Sequence, residues 1–204
     1  MPVKPSQWLS PQEVKRLVES TRDWAATDLA AHRRQGVLAW ALVDTALSTG
    51  LRVGEMAILT CGDLRPENPS LIVHRLKKAG GPRRDEILIG RDLAEHLDEW
   101  LTYKRGRREP SGPGDVLFRS IRGPYRPGGL ALVWRQAVSR ARLPRAYSIH
   151  AARHTFATHL LHQCHDIVIV QHWLGHSSPT VTANAYTGVW PEDKLKAVNG
   201  MYRE

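Results

Sequence analysis

The 204-residue sequence predicts an α+β domain that is mostly α-helical and carries one small antiparallel β-sheet. Three observations predict it. Apolar residues recur at three- and four-residue intervals through most of the chain. Two short apolar runs, 71–76 and 86–89, flank a glycine-rich basic stretch, as in a hairpin. Capping residues and glycine stops mark the ends of several helical stretches.

Ser10, Pro11 and Glu13 open the first helix: Ser10 caps it, Pro11 suits the first helical position and Glu13 completes a capping box. Val14, Leu17 and Val18 supply its apolar stripe. Residues 36–49 are apolar on most faces and predict a central helix, stopped by Gly50. A short helix follows over 55–59. The two strands and their loop, 77–84, come next, then a helix over 91–104 with Leu93, Leu97, Trp100 and Leu101 on one face. Residues 105–114, rich in Arg, Gly and Pro, read as a mobile basic loop. A helix over 130–141 turns Leu130, Val133, Trp134, Ala137 and Val138 inward and arginines outward. The last quarter is helical: 150–163, then 167–174 capped by Asp166 and ended by Gly175, a third helix opened by Ser178-Pro179 and ending near Thr187, and a short one over 191–198. Residues 1–204 read as a single domain, with 190–204 as its C-terminal tail.

Hydrophobic residues make up 42% and charged residues 24% of the chain, which excludes a disordered or collagen-like protein. No apolar run is long enough to span a bilayer, since the longest, 37–47, contains Asp44. The first six residues lack the apolar core of a signal peptide. Cys61 and Cys164 therefore read as two reduced thiols, and the expected setting is the cytoplasm.

The net charge is +9, and it is unevenly placed. Residues 61–150 hold 18 basic and 10 acidic groups, against 7 and 6 in residues 1–60 and 4 and 4 in residues 151–204. Arg119, Arg122, Arg126, Arg135, Arg140, Arg142 and Arg145 follow one another with no acid between them. Such a field suits a polyanion, most simply nucleic acid.

Three segments carry chemistry: Thr49-Gly50-Leu51-Arg52-Val53-Gly54-Glu55, the stretch from His150 through Arg153 to Leu161, and Leu174-Gly175-His176, with Tyr186 ten residues beyond His176. Arg52 follows a glycine stop at a helix entrance. His150 and Arg153 are three apart and share a helix face. Arginine presents a fixed fork that matches phosphate oxygens, histidine moves protons near neutral pH, and tyrosine becomes a covalent nucleophile once deprotonated. Singly, each has a plain structural explanation: a surface ion pair, a helix cap, a helix stop, a core tyrosine. In this order they form a phosphoryl-transfer set.

That ordered set resembles the tyrosine recombinase (phage integrase) family over residues 9–197, through the 49–55 string, the 77–84 hairpin, the 150–161 string, Leu174-Gly175-His176-Ser177 and Tyr186-Thr187-Gly188-Val189. The resemblance implies the family's catalytic-domain fold and DNA strand breakage and rejoining through a 3′-phosphotyrosine, in integration, excision or inversion. It implies Arg52, His150, Arg153 and His176 as catalytic residues, Tyr186 as nucleophile and Glu55 as the acid supporting Arg52. The family's hairpin lysine falls on Lys77 or Lys78, and Lys78-Ala79-Gly80 fits the family pattern better, so Lys78 is chosen. Lys77, Arg83, Arg84, Arg119, Arg122, Arg126, Arg135, Arg140 and Arg142 are the expected DNA-binding residues. No cofactor is implied, neither ATP nor metal. Paired histidines such as His150/His154 and His172/His176 have zinc-like spacing, but no four-ligand set completes. His154, His159, His162 and His172 read instead as packing or capping residues.

One departure from the family pattern is that only eight residues precede the first helix, so the family's N-terminal core-binding domain is expected to be absent, as in the fimbrial invertases or in a fragment. Weak binding by half a clamp leads to further expectations: a monomer in free solution, a homo-tetramer on double-stranded DNA, and room for a helper DNA-binding protein. The rival readings are a type IB topoisomerase and a non-catalytic DNA-binding regulator of the same fold.

Overall fold

The computed structural model describes residues 8–65, 67–75 and 83–175. In chain order its elements are α1 (Pro11–Ala30), α2 (Gln35–Thr49), α3 (Val53–Ile58), β1 (Leu64–Arg65), β2 (Ser70–Arg75), β3 (Arg83–Leu88), α4 (Arg91–Gly106), β4 (Arg119–Ser120), β5 (Gly123–Pro124), α5 (Pro127–Arg140), α6 (Ile149–Cys164) and α7 (Ile167–Leu174). The expected class, mostly helical α+β with a small antiparallel sheet, is the observed one.

α2 is central because its sequence offers apolar surface on nearly every side. Leu38, Leu42, Val43 and Ala46 are fully or almost fully buried, and α1, α4, α5 and α6 all pack on it. Each large aliphatic side chain buried this way contributes about 1.5–3 kcal/mol. Its two buried hydroxyls bond back along the helix, Thr45 to the Ala41 carbonyl and Thr49 to the Thr45 carbonyl, so neither is left unsatisfied. α1 meets α2 at Gly36, where a Cβ would lie 2.5 Å from the Trp24 carbonyl oxygen. The expected capping box forms at the start of α1: the Ser10 hydroxyl accepts from the Glu13 backbone N–H, and the Glu13 carboxylate accepts from the Ser10 N–H.

The three-stranded sheet runs β1-β2-β3, all antiparallel, with Leu71 opposite Ile87, Val73 opposite Asp85 and Arg75 opposite Arg83. β3 begins three residues before the predicted strand. Arg83, Arg84 and Asp85 lack β-branched side chains and so read as loop, but each pairs across the ladder to β2. The second sheet, β4 and β5, consists of two two-residue strands, too short for a period-2 pattern to reveal. α5 opens at Pro127 rather than at residue 130, since proline at the first position outweighs Gly128 and Gly129 behind it.

The expected mobile loop at 105–114 is anchored instead. Its first two residues finish α4, Glu109 takes a two-pronged ion pair from Arg34 at 2.8 and 3.0 Å, and the Asp115 carboxylate accepts from the Gly112 N–H. Arg34 is 75 positions away in sequence, which is why local composition misled. The 77–82 part of the hairpin turn, the two helices expected beyond Gly175 and the 190–204 tail lie outside the described residues.

Candidate active site

Two helices that are distant in sequence end side by side. α2 ends at Gly50 (φ 61°) and α7 at Gly175 (φ 64°), both left-handed, the conformation glycine adopts without a Cβ penalty. Between them lies Arg153 on α6, 7% exposed, donating from Nη1 to the Gly50 carbonyl at 2.8 Å and from Nη2 to the Leu174 carbonyl at 2.9 Å. A guanidinium there is doubly suited: it satisfies carbonyls that helix ends leave without partners, and it faces the negative ends of two helix dipoles.

Arg52 follows two residues after Gly50. The Glu55 carboxylate fixes it twice, accepting from its backbone N–H at 2.9 Å and from Nη1 at 3.1 Å. Glu55 is 2% exposed while the Arg52 side chain is 35% exposed, so a buried acid aims a partly solvated cation outward. The same carboxylate accepts from Arg75 Nη1 at 3.1 Å. Arg75 is itself buried on β2 and reaches Asp85 on β3 at 3.2 Å and the Trp173 carbonyl on α7 at 2.8 Å. Two arginines thus hold successive carbonyls of the last turn of α7, Trp173 by Arg75 and Leu174 by Arg153, directly before the Gly175 stop. Asp85 sits below the usual carboxylate range: burial pushes it up, but hydrogen bonds and charge from Arg83 and Arg75 outweigh that.

His150 stands in the first turn of α6, exposed, three residues before Arg153. His154 is half-buried on the same helix and titrates below the ordinary histidine range, through burial first and then the charges of Arg153 and His150. His159 is also held low, by burial and by His162, and its ring lies edge-on to Trp8. Packing therefore describes His154 and His159. His162 and His172, expected to pack or cap, are exposed. Among the described residues no three His, Cys, Asp or Glu side chains gather as metal ligands.

Tyr147, close before His150 in sequence, is poorly placed to be a nucleophile. It is 6% exposed, donates its hydroxyl to Glu13 at 3.0 Å, and has its pKa pushed up to about 12 by burial and by that carboxylate. Tyr186, His176, Lys77 and Lys78 lie outside the described residues.

The expected DNA-binding arginines are dispersed rather than gathered. Arg83 and Arg84 are exposed on β3, Arg83 paired with Asp85 and Arg84 4.0 Å from Asp63. Arg119 lies on β4, Arg122 in the β4–β5 turn and Arg126 just before α5. Arg140 stacks 4.1 Å from the centre of the Trp24 ring. With Arg33, Arg135 and Arg145 it lines a cleft of about 1040 Å³ between α1 and α5. Trp24 and Asp28 adjoin Gly36, so this cleft lies at the far end of α2 from Gly50, about 21 Å along the helix. Arg142 is exposed beyond α5.

Comparison with known proteins meets this geometry. The model of the phage integrase family matches residues 7–192. The chain belongs to the phage integrase family. Tyrosine recombinase XerC of Halalkalibacterium halodurans is 30% identical over 164 residues, 78% of this chain and 52% of that protein. Tyrosine recombinase XerD of Chlamydia muridarum is 30% identical over 192 residues, 92% of this chain and 59% of that protein. The chain thus spans little more than half the length of these relatives. Among solved structures, the XerA recombinase superposes with a TM-score of 0.76 at 25% identity, covering 100% of this chain and 66% of that one. The XerH recombinase bound to its difH substrate superposes with a TM-score of 0.72 at 22% identity, covering 100% of this chain and 56% of that one, and shows the shared fold.

Two buried cations escaped the sequence reading, Arg75 and Lys104. Each sits in phase with an apolar pattern: Arg75 follows Leu71 and Val73 at period 2, and Lys104 follows Leu97, Trp100 and Leu101 at helical spacing. Lys104 Nζ is enclosed by the Val116 carbonyl at 2.9 Å and Cys61 Sγ at 3.2 Å. A charge that keeps step with the core face was the available signal.

Proposed function

We propose that this chain is a site-specific DNA recombinase that cleaves and rejoins duplex DNA through a 3′-phosphotyrosine. The observation that carries the reading is that Arg153 joins the ends of α2 and α7 at the Gly50 and Leu174 carbonyls, with Arg52 held by Glu55 two residues after Gly50, His150 one helical turn from Arg153 and His176 next in sequence after Gly175. The XerH complex with difH and the XerC and XerD relatives support DNA as the substrate.

In this mechanism Tyr186 is the nucleophile. A free phenol has a pKa near ~10 and is scarcely ionised at neutral pH, so its proton must be taken as the bond forms. His150, exposed beside Arg153, accepts it. The Tyr186 oxygen bonds to phosphorus and the bond to the 5′-oxygen breaks. Lys78 gives that leaving oxygen its proton, which leaves a 5′-hydroxyl. Arg52, Arg153 and His176 hold the non-bridging oxygens, where charge grows in the transition state. The stored ester lets a second 5′-hydroxyl attack and rejoin the strands. The chain is a monomer free in solution and assembles as four protomers on two duplexes, and Lys77, Arg83, Arg84, Arg119, Arg122, Arg126, Arg135, Arg140 and Arg142 hold the DNA backbone.

A suicide duplex, nicked so that the cleaved end diffuses away, tests this. The expected result is a protein–DNA adduct that survives denaturant. Tight binding with no adduct would favour a non-catalytic DNA-binding protein.

A further inference from the structure

Arg75 lies outside every motif that carries the family likeness, yet each nitrogen of its guanidinium is committed. Nε donates to Asp85, Nη1 to Glu55 and Nη2 to the Trp173 carbonyl. The three partners sit on β3, α3 and α7. Each is tied to one part of the proposed site: Glu55 holds Arg52, Trp173 lies three residues before His176, and β2–β3 is the base of the hairpin bearing Lys77 and Lys78. Room for the guanidinium is built in. A Cβ on Gly175 would stand 2.9 Å from Arg75 Nε, so residue 175 lacks a side chain for clearance as well as for its left-handed backbone.

Stability alone does not explain a 2%-exposed arginine on the apolar face of a strand. Buried ion pairs are commonly matched or bettered by well-packed apolar residues, because desolvation offsets their attraction. What a planar fork supplies, and an apolar side chain cannot, is a fixed angle between three partners.

We propose that Arg75 is a positioning residue for the cleavage step: from one buried point it sets Arg52 through Glu55 and ties β2–β3 and the last turn of α7 to that same carboxylate. The inference rests on the recombinase reading and adds to it a residue that touches no DNA. A lysine at position 75 could satisfy one acceptor well but not three in a plane.

The test uses Arg75→Lys and Arg75→Met in the full chain, with single-turnover adduct formation on the suicide duplex, duplex affinity and thermal melting measured together. Adduct formation by the unsubstituted chain is the control. If that is missing, the recombinase reading fails and not this one alone. Given that control, both variants should bind duplex about as well as the parent and cleave about a hundredfold more slowly, the scale expected of catalytic groups moved by an ångström. A 5′-bridging sulfur leaving group, which needs no proton, should recover only part of the loss, because Arg52 remains misplaced. The double variant Arg52→Lys, Arg75→Lys should lose clearly less than the product of the two single losses, since part of the Arg75 effect acts through Arg52. Parent-like cleavage by either variant, fully additive losses, or a loss that merely tracks missing folded protein would overturn the assignment.

Discussion

Glu55 is asked to hold two guanidinium groups at once, and that explains why an acid is buried at the third position of a six-residue helix. Histidine makes the pH behaviour of the same region predictable. His154 and His159 both titrate below their ordinary range, mainly through burial. A depressed pKa means that the folded state prefers the neutral ring, so the stability it contributes is complete above the unfolded value, about 6.5. That stability is lost as pH falls from there through the folded values. Melting temperature should therefore drop between pH 7.5 and pH 5, and His159→Gln should flatten the drop. A melting temperature unchanged across that window in the unsubstituted chain would contradict the burial argument. Chemistry at the hairpin is testable at the same scale. Lys78→Ala should slow adduct formation far more than it weakens binding, and a sulfur leaving group should rescue it. Rescue of Lys77→Ala and not Lys78→Ala would move the general acid by one residue.

At the scale of elements, α2 and α7 must stop where they do for Arg153 to find their carbonyls. Gly50→Ala forces a Cβ into the left-handed region, which costs about 1–2 kcal/mol, and places it 2.6 Å from Phe156 Cδ1. Denaturant unfolding should show a loss of at least that size, together with slower cleavage. Ser10→Ala, by comparison, should cost about 1 kcal/mol and leave cleavage alone, because it removes only the cap of α1. These two elements also show what sequence can and cannot reveal. The capping box, the glycine stops at Gly50 and Gly175 and the Asp166 cap depend on neighbours within four residues, and all were legible. The anchoring of Glu109 by Arg34 and of Trp173 by Arg75 spans 75 and 98 positions, and no local pattern encodes it. The motif arginines Arg52 and Arg153 were legible as a set, while Arg75, which shares Glu55 with Arg52, could show itself only as a cation out of place on an apolar strand face.

Over the whole molecule, the positive charge is spread from the β3 edge to the cleft between α1 and α5, so duplex binding should draw on many weak phosphate contacts. Neutralising Arg135 or Arg142 should weaken binding to all sequences alike and lower the slope of log affinity against log salt by about one contact's worth, ~0.9. Arg140 should behave differently. It stacks on Trp24, so Arg140→Ala should lower stability as well as affinity. Assembly adds a further expectation. Truncation after Gly188 should leave a folded monomer that still cleaves one strand but recombines poorly. If strand cleavage passes through Tyr186, the DNA must be found on that side chain. Adduct formed on the suicide duplex, digested with protease and nuclease and analysed by mass spectrometry, should carry its nucleotide remnant on the peptide containing Tyr186, and Tyr186→Phe should bind duplex yet yield no adduct. A remnant on any other residue, or an adduct formed by the Phe variant, would mean that Tyr186 is not the nucleophile.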